Sequence, residues 1–157
     1  KKRIAYLAEA TAELTGLELF PQYLTLLFEV DALFCNDDRH LNNIAVIEQN
    51  GKFDYCPIFD NGAGLLSNTQ LSPMDILPPA LISALQARPF NTTFTRQMNT
   101  ARSLYGMQLV MPKLTTSDIR EVLGPVLNYY PQRDRGIMTD RVETCILIRQ
   151  RKLQGKT

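Results

Sequence analysis

Asn36-Asp37-Asp38-Arg39-His40-Leu41-Asn42-Asn43, followed by Ile58-Phe59-Asp60-Asn61-Gly62, is the pair of segments on which the reading of this chain turns. Each is short, polar and fenced by apolar residues. Between them stand two β-rich runs, Ile44-Ala45-Val46-Ile47 and Lys52 to Ile58, joined through Asn50-Gly51, the dipeptide that most favours a tight hairpin turn. A hairpin over 44–58 puts Asn43 at the start of its first strand and Asp60 just after its second, at the same end. The two polar segments are therefore expected to form one site.

Upstream of the first segment, Pro21 to Phe34 carries Tyr23, Leu24, Leu26, Leu27, Phe28, Val30, Leu33 and Phe34. Only Gln22, Thr25 and Glu29 form a narrow polar stripe, so the periodicity predicts a helix buried nearly all round, with that stripe facing out. Asp31 departs from the stripe. Either it reaches water at the helix end, or it braces Arg39 or His40, because a buried charge requires a partner. Before this helix, Ile4, Leu7, Ala8 and Leu14 at helical spacing predict another over 3–15, with Gly16 as a left-handed C-terminal cap.

Downstream, 62–79 reads as a long irregular segment rich in Gly, Pro, Ser and Asn. Short helices are predicted over 80–87 and from Thr93 or Thr95 to Tyr105-Gly106. Asp118 and Glu121, three apart, predict a capping-box start for a helix over 119–130, interrupted at Gly124-Pro125. A last helix over 139–153 turns Val142, Ile146 and Leu147 inward and leaves Arg141, Arg149, Arg151 and Lys152 largely outside. The predicted fold is a single α+β domain over 1–157, mainly α-helical with one small β-hairpin.

Composition narrows the function classes. With 157 residues and 45% hydrophobic content the chain can bury a sizeable core. A net charge of +1 gives no global attraction to nucleic acid or an anionic membrane, so direct nucleic-acid binding is not expected. Cys35, Cys56 and Cys145 lack the spacing of a zinc site or a disulfide framework, which points to a reducing cytoplasm. No apolar run approaches the ~20 residues of a membrane span, and no membrane partner is expected. The start at Lys1, without an initiator Met, reads as a processed or excised piece.

The polar segments suit phosphoryl transfer. That chemistry needs a carboxylate to position the attacking hydroxyl, and oxygen ligands that hold Mg²⁺ against nucleotide phosphates. Asp38 can supply the first, and Asn43 with Asp60 the second, since Mg²⁺ binds through one or two carboxylates, water and phosphate. Asp38-Arg39-His40-Leu41-Asn42-Asn43 with Ile58-Phe59-Asp60-Asn61-Gly62 resembles the catalytic and metal-binding loops of atypical kinases related to phosphatidylinositol kinases, especially the bacterial HipA-like kinases. In these an Asp-Arg-His order replaces the His-Arg-Asp of ordinary protein kinases.

The resemblance, which covers about Pro21 to Leu66, implies a protein-kinase-like C-lobe: a catalytic loop over 36–43, a hairpin over 44–58, a metal loop over 59–64 and a helical remainder. It implies that Asp38 is the catalytic carboxylate, that Asn43 and Asp60 bind Mg and the ATP phosphates, that His40 stabilises charge near the transferred phosphate, and that Arg39 props the loop. Asn61 stands where ordinary kinases have Phe. The acceptor implied is a protein Ser or Thr hydroxyl, with an antitoxin-like partner or an N-lobe as a second partner.

A glycine-rich flap and a strand Lys are absent from these residues, so the expectation is a C-lobe without its N-lobe, weak or inactive alone. Three other readings stand beside this one: a non-catalytic docking module that uses the basic end Arg149 to Lys156, a lipid or small-molecule kinase, and a metal-dependent phosphohydrolase.

Overall fold

A computed structural model describes residues 1–155 of the chain; Lys156 and Thr157 lie outside the described residues. Its centre is a helix, here α2 (Phe20–Phe34), against which α1 (Lys2–Thr15), α4 (Phe94–Tyr105) and α6 (Gln132–Leu153) all pack. Between α2 and α4 come the hairpin β1 (Val46–Gln49) and β2 (Lys52–Tyr55), a long irregular segment, and α3 (Pro78–Ala84). Helix α5 (Thr116–Leu127) packs on α6. The described residues are thus mainly helical with one two-stranded antiparallel sheet, as the periodicities predict.

Helix α1 stops where the sequence says it should. Gly16 takes φ 74° and donates its N–H to Ala12 O, a conformation with no Cβ penalty for glycine. Helix α2 then begins at Phe20, with Pro21 in its first turn, where the missing N–H has no partner to lose. One core lies between α1, α2 and α4 and includes Ile4, Ala8, Leu24, Phe28 and Ala101. A second joins the C-terminal half of α2 to α4, α5 and α6 through Leu33, Met98, Ile119, Val142 and Ile146.

The polar stripe of α2 does not face water. Thr25 and Glu29 are fully buried, and Gln22 is half-buried. Thr25 satisfies itself locally, its hydroxyl donating to Pro21 O at 2.9 Å. Glu29 accepts from Arg102 Nε at 2.5 Å and from the backbone N–H groups of Gln108 and Leu109. Its charge is tolerated inside because a cation and two amides replace water.

The hairpin forms in the predicted place. Val46 pairs with Tyr55 and Gln49 with Lys52, and both turn residues, Asn50 and Gly51, have positive φ (54° and 73°), as a two-residue type I′ turn demands. Its base is fastened to α2, since Tyr23 donates its hydroxyl to Cys56 O at 2.8 Å and Leu19 N–H donates to the Tyr55 hydroxyl at 3.1 Å.

Three expectations for the C-terminal half are corrected. Helix α5 starts one turn earlier, because Thr115 and Asp118 form the reciprocal capping box: Thr115 Oγ1 accepts from Asp118 N, and Asp118 Oδ2 accepts from Thr115 N at 2.7 Å. Helix α6 starts at Gln132 rather than near Thr139, running through Gly136. Arg141 and Arg149, predicted to lie outside, are buried. Arg141 donates to the carbonyls of Leu66, Ser72 and Pro73 and so ties the irregular segment to α6; Arg149 donates to Ala32 O at 2.5 Å. Arg151 and Lys152 are exposed as predicted.

Candidate functional site

The site grows from the end of α2. Cys35 leaves the helix in the left-handed region at φ 55°, and the chain turns sharply into the first polar segment. Asp31, on the last turn of the helix, is 1% exposed, and Arg39 is completely buried beside it. Arg39 Nε donates to Asp31 Oδ2 at 2.9 Å and Nη2 to Asp31 Oδ1 at 3.0 Å, the two-pronged geometry that a guanidinium offers a carboxylate. Of the two alternatives for Asp31, the brace on Arg39 is the one the fold adopts.

Arg39 does more than pair. Its Nη1 donates to Asn43 O at 3.2 Å and to Phe59 O at 2.6 Å, and its Nη2 also donates to Asn61 Oδ1 at 2.7 Å. All five guanidinium N–H bonds are therefore used, and they reach α2 and both polar segments. Asn36 adds a second tie, its Nδ2 donating to Asp31 Oδ1 at 3.1 Å and to Asp60 O at 3.3 Å. The predicted convergence of the two segments is real, and a buried ion pair holds it together. Burial pushes the Asp31 carboxyl up from its ordinary value, while the hydrogen bonds and charge of Arg39 and the bond from Asn36 pull it down.

The residues assigned to chemistry sit around this hub. Asp38 is adjacent to Arg39 in sequence yet opposite in environment: its side chain is 53% exposed, and its nearest cation is Arg88, with Nη1 3.4 Å from Oδ1. Asn43 closes the single 3₁₀ turn Leu41–Asn43 and is buried. Its Nδ2 donates to Asp38 O at 3.2 Å, which fixes the amide and leaves Oδ1 as its acceptor end.

Asp60 is exposed, with φ 54°, a left-handed conformation that Asp tolerates better than most residues. Asn36 holds its carbonyl, and its carboxylate receives no hydrogen bond from the described residues. His40 is half-buried and donates its backbone N–H to Asp38 O at 2.8 Å; its imidazole has no hydrogen-bonded or ionic partner among the described residues. Asp37, half-buried beside Asp38, has its carboxyl pushed up mainly by burial and further by the Asp38 charge.

Among the described residues no group of three or more His, Cys, Asp or Glu side chains is placed to hold a metal ion. Neither Asn43 Oδ1 nor the Asp60 carboxylate accepts a hydrogen bond from the described residues, and both are hard oxygen donors.

Sequence reasoning missed three partners. Asn36 and Asn61 lie inside the quoted segments, and only their contacts reveal them as cross-links. Arg88 lies fifty positions from Asp38, with no local signal linking the two. Of the basic end proposed for docking, Arg149 is buried under α2 and Lys156 lies outside the described residues. Among the described residues no helix is long and apolar enough to cross a membrane. Searches with the chain against protein-family models, curated proteins and solved structures found no match.

Proposed function

We propose that this chain is the kinase-like C-lobe of an atypical, HipA-like serine/threonine kinase that transfers the γ-phosphate of ATP to a protein hydroxyl. One observation carries the reading: a fully buried Arg39 anchors two of its N–H bonds on Asp31 of α2 and spends the other three on the two loops, while its neighbour Asp38 stands at the surface of the same loop with only Arg88 beside its carboxylate. A loop built only as a connection has no need of such a hub. Helix α2 takes the part of the central C-lobe helix, and the hairpin separates the loops as in the kinases this sequence resembles.

In this mechanism Asp38 accepts the hydrogen bond of the acceptor hydroxyl and orients its oxygen. As that oxygen bonds to the γ-phosphorus and the bond to the leaving β-phosphate oxygen breaks, the hydroxyl proton passes to the Asp38 carboxylate. Asn43 Oδ1 and the Asp60 carboxylate are the residues that would hold Mg²⁺. Bound there, the ion would neutralise charge on the nucleotide phosphates. Arg39 positions and does not react. Arg88, paired loosely with Asp38 at 3.4 Å, holds the carboxylate until a substrate replaces it. A glycine-rich flap and a strand Lys are further requirements, to be met by residues other than these.

The test is phosphate transfer from labelled ATP with Mg²⁺ by the protein carrying both lobes. Asp38→Asn should lower the rate by about 10²–10⁴-fold, and Asp60→Asn should abolish the Mg²⁺-ATP-dependent rise in melting temperature. Unchanged transfer in both variants would overturn the assignment.

A further inference from the structure

We infer that a groove beside the catalytic loop docks an acidic segment of the acceptor polypeptide, with an apolar residue seated next to the loop and carboxylates beyond it. The inference rests on the kinase reading for the identity of the acceptor, but not for the binding itself.

Two cavities adjoin. The first, of about 430 Å³, is lined by Lys2, Arg3, Tyr6, Leu7, Leu41 and Phe90. It is almost wholly apolar, and Leu41 belongs to the turn that follows Asp38-Arg39-His40. Tyr6 and Leu41, which both line it, are 76% and 56% exposed and so present apolar surface to a ligand. The second cavity, of about 230 Å³, shares Arg3 and Phe90 with the first and continues to Lys1, Arg96 and Gln97. The guanidinium of Arg3 lies 5.4 Å from the Phe90 ring centroid, so this pair forms the bridge between the two.

The far cavity is cationic and uncompensated. Lys1, Arg3 and Arg96, which line it together, have no carboxylate within ion-pair distance among the described residues, so three unneutralised cations share one cavity. Gln97, 2% exposed, lines this cavity; its Nε2 donates to Arg88 O at 2.8 Å and its Oε1 is buried with no donor. A ligand that brings an N–H to this wall would relieve that unmet acceptor. The same Gln97 bond ties the cavity to Arg88 and, through the Arg88 side chain, to Asp38.

Charge and polarity together select a peptide. A nucleic acid carries a phosphate at every step and needs cations along the whole track. Here Lys1, Arg3 and Arg96 gather around the far cavity, whereas the near cavity beside Leu41 presents almost only apolar surface, to which Lys2 and Arg3 add their stems. A polypeptide with a hydroxyl residue, an apolar neighbour and then Asp or Glu matches that order.

Binding can be read without catalysis. A fluorescein-labelled dodecapeptide with a Ser, a Leu and a run of Glu, made in both chain directions, is titrated into the protein by fluorescence anisotropy beside its Gln counterpart. The better Glu peptide should bind at least about tenfold more tightly than its counterpart, with the difference shrinking as salt is raised. The Arg3→Glu/Arg96→Glu double variant should lose that preference, and Arg96→Gln alone, at an exposed position, should weaken Glu binding by about threefold.

Three outcomes would overturn the inference: equal binding of Glu and Gln peptides, a preference that neither variant reduces, or tighter binding of a single-stranded oligonucleotide of equal charge. Phosphate transfer is read separately. Glu-selective binding without transfer keeps the docking inference and removes the kinase reading. Transfer accompanied by equal binding of the Glu and Gln peptides does the reverse.

Discussion

Replacing Arg39 by Ala should be among the most damaging single changes available to this protein. The guanidinium is completely buried and makes five hydrogen bonds, two to Asp31 and three to the loops. Truncation leaves the Asp31 carboxylate inside the fold without its counter-ion, a loss that costs about 3–5 kcal/mol. Against a total stability of about 5–15 kcal/mol for a domain, that is a large fraction. Arg39→Lys should cost less but not little, since three donors on a point charge can keep Asp31 yet cannot also reach Asn43 O, Phe59 O and Asn61 Oδ1.

The informative comparison is the double variant Asp31→Leu/Arg39→Met. It removes both charges and fills similar volume, and buried ion pairs exchanged for apolar groups are often neutral in stability. Urea unfolding followed by far-UV circular dichroism should therefore return most of the stability lost in Arg39→Ala, with an unchanged slope against denaturant. The loops, however, would lose their tie, so any stabilisation by Mg²⁺-ATP, which the proposed function predicts for the wild type, should not return.

The pH dependence has a definite sign. In Arg39→Ala the hydrogen bonds and charge of Arg39 no longer lower the Asp31 carboxyl, and burial is opposed only by the bond from Asn36, so the folded state binds its proton more tightly than the unfolded chain does. Stability then falls as pH rises through that raised folded value, and the deficit against wild type should be larger at neutral pH than in mild acid. A cost below about 1 kcal/mol for Arg39→Ala, or a double variant no more stable than the single one, would refute the role of the hub.

Glu29→Ala should destabilise by about 3–5 kcal/mol in the same assay, because it strands Arg102 and the N–H groups of Gln108 and Leu109; Glu29→Gln, which still accepts, should recover part of this. Asp118 is held below the ordinary carboxylate value by the Thr115 backbone N–H and then by its hydroxyl. Its contribution is therefore present at neutral pH and lost as pH falls through the lowered folded value, so Asp118→Asn should flatten the acid limb of a melting-temperature-against-pH profile.

What could be read in the sequence were features whose cause is local. Gly16, Asn50-Gly51 and Pro21 fix backbone angles within a residue or two, and the structure uses each where the sequence implies. Helix α5 shows the limit of such signals: Thr115 with Asp118 and Asp118 with Glu121 have the same spacing, and the upstream pair wins because it satisfies both caps reciprocally. The burial of Glu29, Arg141 and Arg149 could not be read at all. Their partners lie 73, 75 and 117 positions away, and helical periodicity assigns every charged side chain to water by default. Asp31 was a partial exception, because its place on an otherwise apolar face of α2 raised a brace to Arg39 or His40 as one of two alternatives, the other being water at the helix end, and the fold adopts Arg39, eight positions on.

That exception bears on why the chain keeps charges inside. An apolar pair at 31 and 39 is expected to keep most of the stability, so stability alone does not require the ions. What an apolar pair cannot do is point. Five directional bonds fix the carbonyls of Asn43 and Phe59 and the amide of Asn61 relative to one helix end, and Asn36 fixes the carbonyl of Asp60 to the same carboxylate. Asp38 stands one residue before the hub and so inherits its position while keeping its own carboxylate in solvent. Buried Arg39 thus sets where exposed Asp38 stands on the loop, and if the kinase proposal holds, that placement is what the buried ions supply.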